Sequence, residues 1–149
     1  MLKRKITDYL KHWKETHRNE CLLVRGARQI GKTFIIEDFA KNNYEHFVEI
    51  NFEQRPALKS AFEGELTIQE MIKRISLYIP EAVFEPRKTL VFFDEIQSCP
   101  QARTSLKFWA SDGSYDVIAS GSLLGVNYNA VSSFPVGYER QVDMYSLDF

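Results

Sequence analysis

Cys21-Leu22-Leu23-Val24-Arg25-Gly26-Ala27-Arg28-Gln29-Ile30-Gly31-Lys32-Thr33 is the stretch on which the reading of this sequence turns. Its first four residues form a short apolar run that fits a buried strand. Gly26 to Thr33 then match G-x-x-x-x-G-K-[ST] in full. Phe34, Ile35, Ile36, Phe39 and Ala40 follow at helical spacing, and the pattern fades at Asn42-Asn43. A strand, a glycine loop and a helix therefore come in that order. Gly26 and Gly31 let the backbone curl around a phosphate and aim its amides inward. Lys32 brings a point charge to the β- and γ-phosphates, and the Thr33 hydroxyl can ligate Mg²⁺. The helix opening at Lys32-Thr33-Phe34 adds the positive end of its dipole. The candidate phosphate-binding residues are Gly26, Ala27, Arg28, Gln29, Ile30, Gly31, Lys32, Thr33 and Phe34. Arg28 either touches phosphate or braces the turn. The bland alternative for the whole loop is a glycine turn that holds no nucleotide.

A loop of this kind predicts a second element, an apolar strand that ends in an acid reaching the metal shell. Leu90-Val91-Phe92-Phe93-Asp94-Glu95 supplies it, with Asp94 62 positions after Lys32. That leaves room for a helix, a strand and another helix. Alone, such an acid reads as a strand-end carboxylate facing water; beside the glycine loop it reads as a metal ligand. Glu95, directly after it, can orient and deprotonate an attacking water. Phosphotransfer to another substrate should exclude water, so the Asp-Glu pair favours nucleotide hydrolysis. The alternative is an exposed glutamate.

Working outward, Ile6, Tyr9, Leu10, Trp13 and His17 predict an amphipathic helix ahead of the loop. Phe47 to Phe52 alternate as a strand. Residues 53–64 read as loop with room for a short helix. Thr67-Ile68-Gln69-Glu70 matches a capping box, and Ile68, Met71, Ile72, Ile75 and Ile79 line one helical face up to Pro80. Pro100 suits a first helical turn, Ala102, Leu106 and Trp109 face inward, and Gly113 stops that helix. Asp116 to Ser120 is another buried strand, 121–137 a loop, and Gln141 to Leu147 a last strand. Strands alternating with helices imply β-α-β crossovers, hence an α/β fold with a mostly parallel sheet and helices on both faces.

The chain has 149 residues, room for one domain and one core. Its 44% hydrophobic and 26% charged residues exclude collagen-like, low-complexity and disordered chains. A net charge of -1 gives no global field for nucleic acid or membranes. No apolar run is long enough to span a bilayer, and Met1 to Asp8 lack the core of a secretion signal. Cys21 and Cys99 form no metal pattern and no disulfide framework, and read as buried thiols of a reducing cytoplasm. The first 18 residues hold six basic and two acidic side chains. That face suits a phosphate backbone, an acidic partner or simply water.

Gly26 to Thr33, Phe92-Phe93-Asp94-Glu95-Ile96-Gln97 and Ile118-Ala119-Ser120-Gly121-Ser122-Leu123-Leu124-Gly125 together resemble a group of prokaryotic ATP-binding proteins of the AAA+ superfamily. Members pair an N-terminal AAA-type ATPase domain with a C-terminal domain of unknown function. Ser133 to Gly137 and Met144 to Phe149 are similar to the segment that follows in that group. The resemblance runs from about residue 20 to the end. It implies a five-stranded parallel sheet, three layers in all, with the glycine-loop strand in the middle. It implies ATP as the nucleotide, a choice that no residue here makes by itself. Ser120, at the tip of the fourth strand, is implied as the polar sensor of the γ-phosphate, with a plain strand-end serine as the alternative. The superfamily commonly works as oligomers with an arginine reaching in from a neighbour. Arg103 and Arg140 are candidates for it, though each also reads as a surface arginine. The helical lid and second sensor usual in the superfamily are not found.

The reading is thus a single P-loop ATPase core over residues 1–149, with a helix at 1–18 and the nucleotide-binding sheet at 20–149. It is expected to be the N-terminal core of a longer protein, one that uses Mg²⁺ and exports conformational work to a C-terminal domain, a protein partner or a homo-oligomer. The alternatives are a nucleotide switch that does not hydrolyse and, ranked lowest, a nucleic-acid-associated module using the basic first helix.

Overall fold

The computed structural model describes residues 2–17, 19–26, 31–121 and 139–143. Ala27 to Ile30, the 122–137 loop, the resemblance segments at 122–125, 133–137 and 144–149, and the end of the last strand therefore lie outside the described residues. The chain runs α1 (Leu2–Thr16), β1 (Cys21–Arg25), α2 (Lys32–Asn43), β2 (His46–Asn51), α3 (Ile68–Tyr78), β3 (Thr89–Asp94), α4 (Pro100–Asp112), β4 (Asp116–Gly121) and β5 (Glu139–Asp143). Residues 53–64 do hold a short helix, a 3₁₀ segment at Pro56–Phe62 that buries Leu58, Ala61 and Phe62.

All four strand pairings are parallel, in the order β2-β3-β4-β1-β5. This is the expected α/β sheet with one correction. β1 is interior, paired with both β4 and β5, but β4 holds the middle place. Three strands lie to one side of the loop-bearing strand and one to the other, because β5 alone extends the sheet beyond it.

The pleat sends alternate side chains to opposite faces. Cys21, Leu23, Val48, Ile50, Val91, Phe93, Val117 and Ala119 share one core with buried residues of α3, α4 and the 3₁₀ segment. Leu22, Val24, Leu90, Phe92 and Ile118 share the other with Ile6, Leu10 and Trp13 of α1 and Ile35, Ile36 and Phe39 of α2. The result is three layers, with β3 buried along its whole length. Near-continuous apolar strands are what a sheet covered on both faces requires. The helix ends follow local chemistry. Thr67 accepts the Glu70 N–H at the start of α3. Glu70 approaches Arg74 one turn on. Gly113 closes α4 at φ 72, in the left-handed region that glycine adopts freely.

Candidate functional site

The same two-residue periodicity builds the site. On β3 the residues Leu90 and Phe92 face α2, so Asp94, two further on, faces α2 as well. Ser120 follows Ile118 on β4 in the same way, and Asn51 follows Phe47 on β2. The register sets Asn51 directly beside Asp94. Three polar side chains thus converge at the carboxyl end of the sheet, beneath the start of α2, the place where open α/β sheets bind ligands.

Asp94 is 2% exposed and accepts three hydrogen bonds. The Thr33 hydroxyl donates to its Oδ2 at 2.9 Å, and Ser120 donates to its Oδ1 at 2.7 Å. Asn51 Nδ2 donates to Oδ2 at 3.1 Å. The amide orientation of Asn51 is fixed, because its Oδ1 accepts the Glu53 and Gln54 N–H groups, both at 2.9 Å. A buried carboxylate is tolerable only when hydrogen-bonded or paired, and here each oxygen has a donor.

Lys32 opens α2 and is 2% exposed. Its Nζ lies 3.8 Å from Glu95 Oε1. Gly31, before it, has φ 74, the left-handed region that glycine adopts freely, and no described residue comes within 4 Å of where a Cβ would stand. The Gly26 N–H donates to the Gly121 carbonyl at 3.3 Å, tying the loop's start to the tip of β4. Phe34 is 61% exposed on the first turn of α2. Glu95 is buried, with φ 57 and ψ 49. A left-handed conformation at a residue other than glycine is strained, and such strain collects at functional sites. Gln97 Nε2 donates to Glu95 Oε2 at 2.6 Å.

The structure therefore brings together Gly26, Gly31, Lys32, Thr33, Asp94, Glu95 and Ser120 among the residues expected from sequence. Ala27, Arg28, Gln29 and Ile30 lie outside the described residues. Asn51 and Gln97 were not anticipated. Asn51 carries a faint local signal, an asparagine opening an Asx turn at a strand end. Gln97 carries none.

Beside this cluster Glu49 faces α2 from β2. Burial, then a hydrogen bond with Glu37 and the charges of Glu37 and Asp94, push its carboxyl up to about 8. Arg103 and Arg140 are engaged within the chain. Arg103 pairs with Glu139 at 3.0 Å and Arg140 with Glu20 at 2.9 Å. Burial lowers the Arg103 guanidinium to about 10. Cys21 and Cys99 are buried free thiols, both raised by burial. Among the described residues no group of three or more His, Cys, Asp or Glu side chains could hold a metal. Thr33 and Asp94 do fit magnesium, which takes one or two hard protein oxygens and completes its shell with water and phosphate.

A parallel strand, a glycine loop and a helix facing an acid at the tip of a second strand define a P-loop nucleotide-binding domain. More narrowly, a family model described as an AAA domain matches residues 18–149, and the chain belongs to that family. No curated protein matches it. PCH-2 of C. elegans is similar in structure, with a TM-score of 0.55 and 16% identity, over 95% of this chain and 42% of that one. ORC1 of Aeropyrum pernix, solved in complex with DNA, gives 0.53 and 12%, over 96% and 44%. A RuvB variant of Thermotoga maritima gives 0.53 and 15%, over 95% and 44%. At these identities the likeness shows the fold alone. The chain spans less than half the length of each of the three. It is a nucleotide-binding core of the AAA ATPase type. No described helix is long and apolar enough to cross a membrane.

Proposed function

We propose that the chain binds Mg-ATP at residues 26–33 and hydrolyses it, with Asp94 at the centre of the site. The observation that supports this best is the Asp94 carboxylate, reached by Thr33 from the loop helix and by Ser120 from β4. Magnesium, held by Thr33 and Asp94, would neutralise charge building on the β- and γ-phosphates. Lys32 now neighbours Glu95 and would turn to the phosphates, the stronger anion. That frees Glu95 Oε1 to accept a proton from water as the water oxygen bonds to the γ-phosphorus. The bond from that phosphorus to the bridging oxygen breaks, leaving ADP and phosphate. Ser120, which donates to Asp94, would be the sensor of the γ-phosphate or of that water. The test is phosphate release at saturating ATP. Glu95→Gln should keep ATP binding and lose release; normal release would remove Glu95 from the reaction.

A second reading has its own support. Lys32 and Gln97 each engage one oxygen of Glu95, as in a site that binds nucleotide and holds a state without turnover. In that case ATP would set which partner is held, and saturating ATP would yield no phosphate. The family resemblance further supports export of the conformational change to a second domain, a partner or a homo-oligomer. The basic face of α1 supports a nucleic-acid role least, since Asp8 and Glu15 are interleaved with Lys5, Lys11 and Lys14 on it.

A further inference from the structure

Glu95 can act as a base only if one carboxylate oxygen faces the phosphates, and a carboxylate on a flexible side chain does not choose its rotation unaided. Gln97, two residues on in the 3₁₀ turn Ile96–Ser98, holds Oε2 at 2.6 Å. Oε1 is the oxygen left toward Lys32. The amide cannot be reversed, because its carbonyl would then meet a carboxylate. With Nε2 so placed, Gln97 Oε1 is buried and has no hydrogen-bond partner among the described residues. It also lies 2.9 Å from where a Cβ on Gly121 would stand, so a larger residue at the tip of β4 would push the amide out of this position. A buried amide that forfeits one of its own hydrogen bonds is a poor choice for stability, and calls for an explanation in function.

We propose that Gln97 is the positioning residue for Glu95: its amide fixes the carboxylate so that Oε1 faces Lys32 and the phosphate site. This rests on the hydrolytic reading above. The amide touches no reacting atom and acts only through Glu95. Gln97→Met keeps the length and removes both amide groups; Gln97→Glu keeps the shape and replaces the donor by a second carboxylate.

The experiment measures kcat, KM and ATP affinity for the unsubstituted full-length protein, Gln97→Met, Gln97→Glu, Glu95→Gln and the Glu95→Gln/Gln97→Met double variant. Both Gln97 variants should lower kcat by about tenfold or more with KM and ATP affinity unchanged. Gln97→Met should lower the thermal midpoint only modestly, because losing the donor to Glu95 Oε2 is partly offset by removal of an unsatisfied acceptor. On the Glu95→Gln background, Gln97→Met should cause no further loss, because nothing remains to position. Glu95-dependent turnover that survives both Gln97 substitutions overturns this inference alone. Equal loss from Gln97→Met with and without Glu95 also overturns it, and marks a merely structural role. Absence of Glu95-dependent turnover in the unsubstituted protein overturns the hydrolytic reading, and this inference with it.

Discussion

Two aspartates, one at each end of the sheet, use the same chemistry to opposite ends. Asp94, at the carboxyl end of β3, is 2% exposed and accepts from Thr33, Asn51 and Ser120. Asp116, at the amino end of β4, accepts from His17 at 2.8 Å and from Tyr44 at 2.5 Å. His17 stacks on Trp13, and Lys14 lies over the Tyr44 ring at 5.0 Å. The second cluster fastens α1 and the end of α2 to the sheet. Burial alone would raise the Asp116 carboxyl, but the hydrogen bonds from His17 and Tyr44 outweigh it and hold it below the usual range. Its donors come from the residues that follow α1 and α2, whereas those of Asp94 come from the loop helix and two strand tips. A ligand arriving at the loop would compete for Thr33 and Lys32, whereas the donors to Asp116 serve to hold helices on the sheet. On the proposed function, one end of the sheet exchanges partners and the other keeps them.

Breaking the carboxyl end at its lysine should have the largest effect. Lys32→Ala is expected to weaken ATP binding by about a thousandfold, or about 4 kcal/mol, as read by calorimetric titration. Glu95→Gln should leave that affinity intact and slow phosphate release by about a hundredfold. At the amino end, Asp116→Ala should cost about 2 kcal/mol in denaturant unfolding, since His17 and Tyr44 both lose an acceptor. ATP affinity of the folded protein should be unchanged. Because the Asp116 carboxyl is depressed in the fold, its contribution is present above the unfolded value and is lost as pH falls through the folded one.

The smallest effect has the opposite sign. Glu49 is raised from 4.5 to about 8, so between those values the fold holds a proton that the unfolded chain has released. Stability from this group therefore declines as pH rises through that window. Glu49→Gln should remove the decline and add about 0.5 kcal/mol at neutral pH, a modest figure because the group is only half-buried. A decline that persists in Glu49→Gln would assign it to other groups.

Much of the molecule was legible along the chain. Most helices and strands among the described residues follow a run whose period or caps announced it, and β3 needed only its four apolar residues Leu90 to Phe93. By contrast, β5 begins at Glu139, two residues before the expected Gln141, and the Ile96–Ser98 turn had no such signal. Asp94, Glu95 and Thr33 were legible because their motifs are contiguous. The order of the strands was not, because neighbours in a parallel sheet are distant in sequence and no local pattern names them. Hence β1 was expected in the middle, where β4 stands. Asn51 joins the site only through the β2–β3 register. Gln97 reaches Glu95 only because Glu95 adopts a left-handed turn that no propensity would assign to glutamate.

The claim at the centre of this account is that Asp94 anchors the metal that accompanies ATP. The direct measurement is ATP affinity with magnesium and with chelator, for the unsubstituted protein and for Asp94→Asn, which keeps the shape and removes the charge. The account predicts that magnesium tightens ATP binding in the first and that most of this gain, about tenfold or more, is lost in the second. An equal gain in both would contradict it.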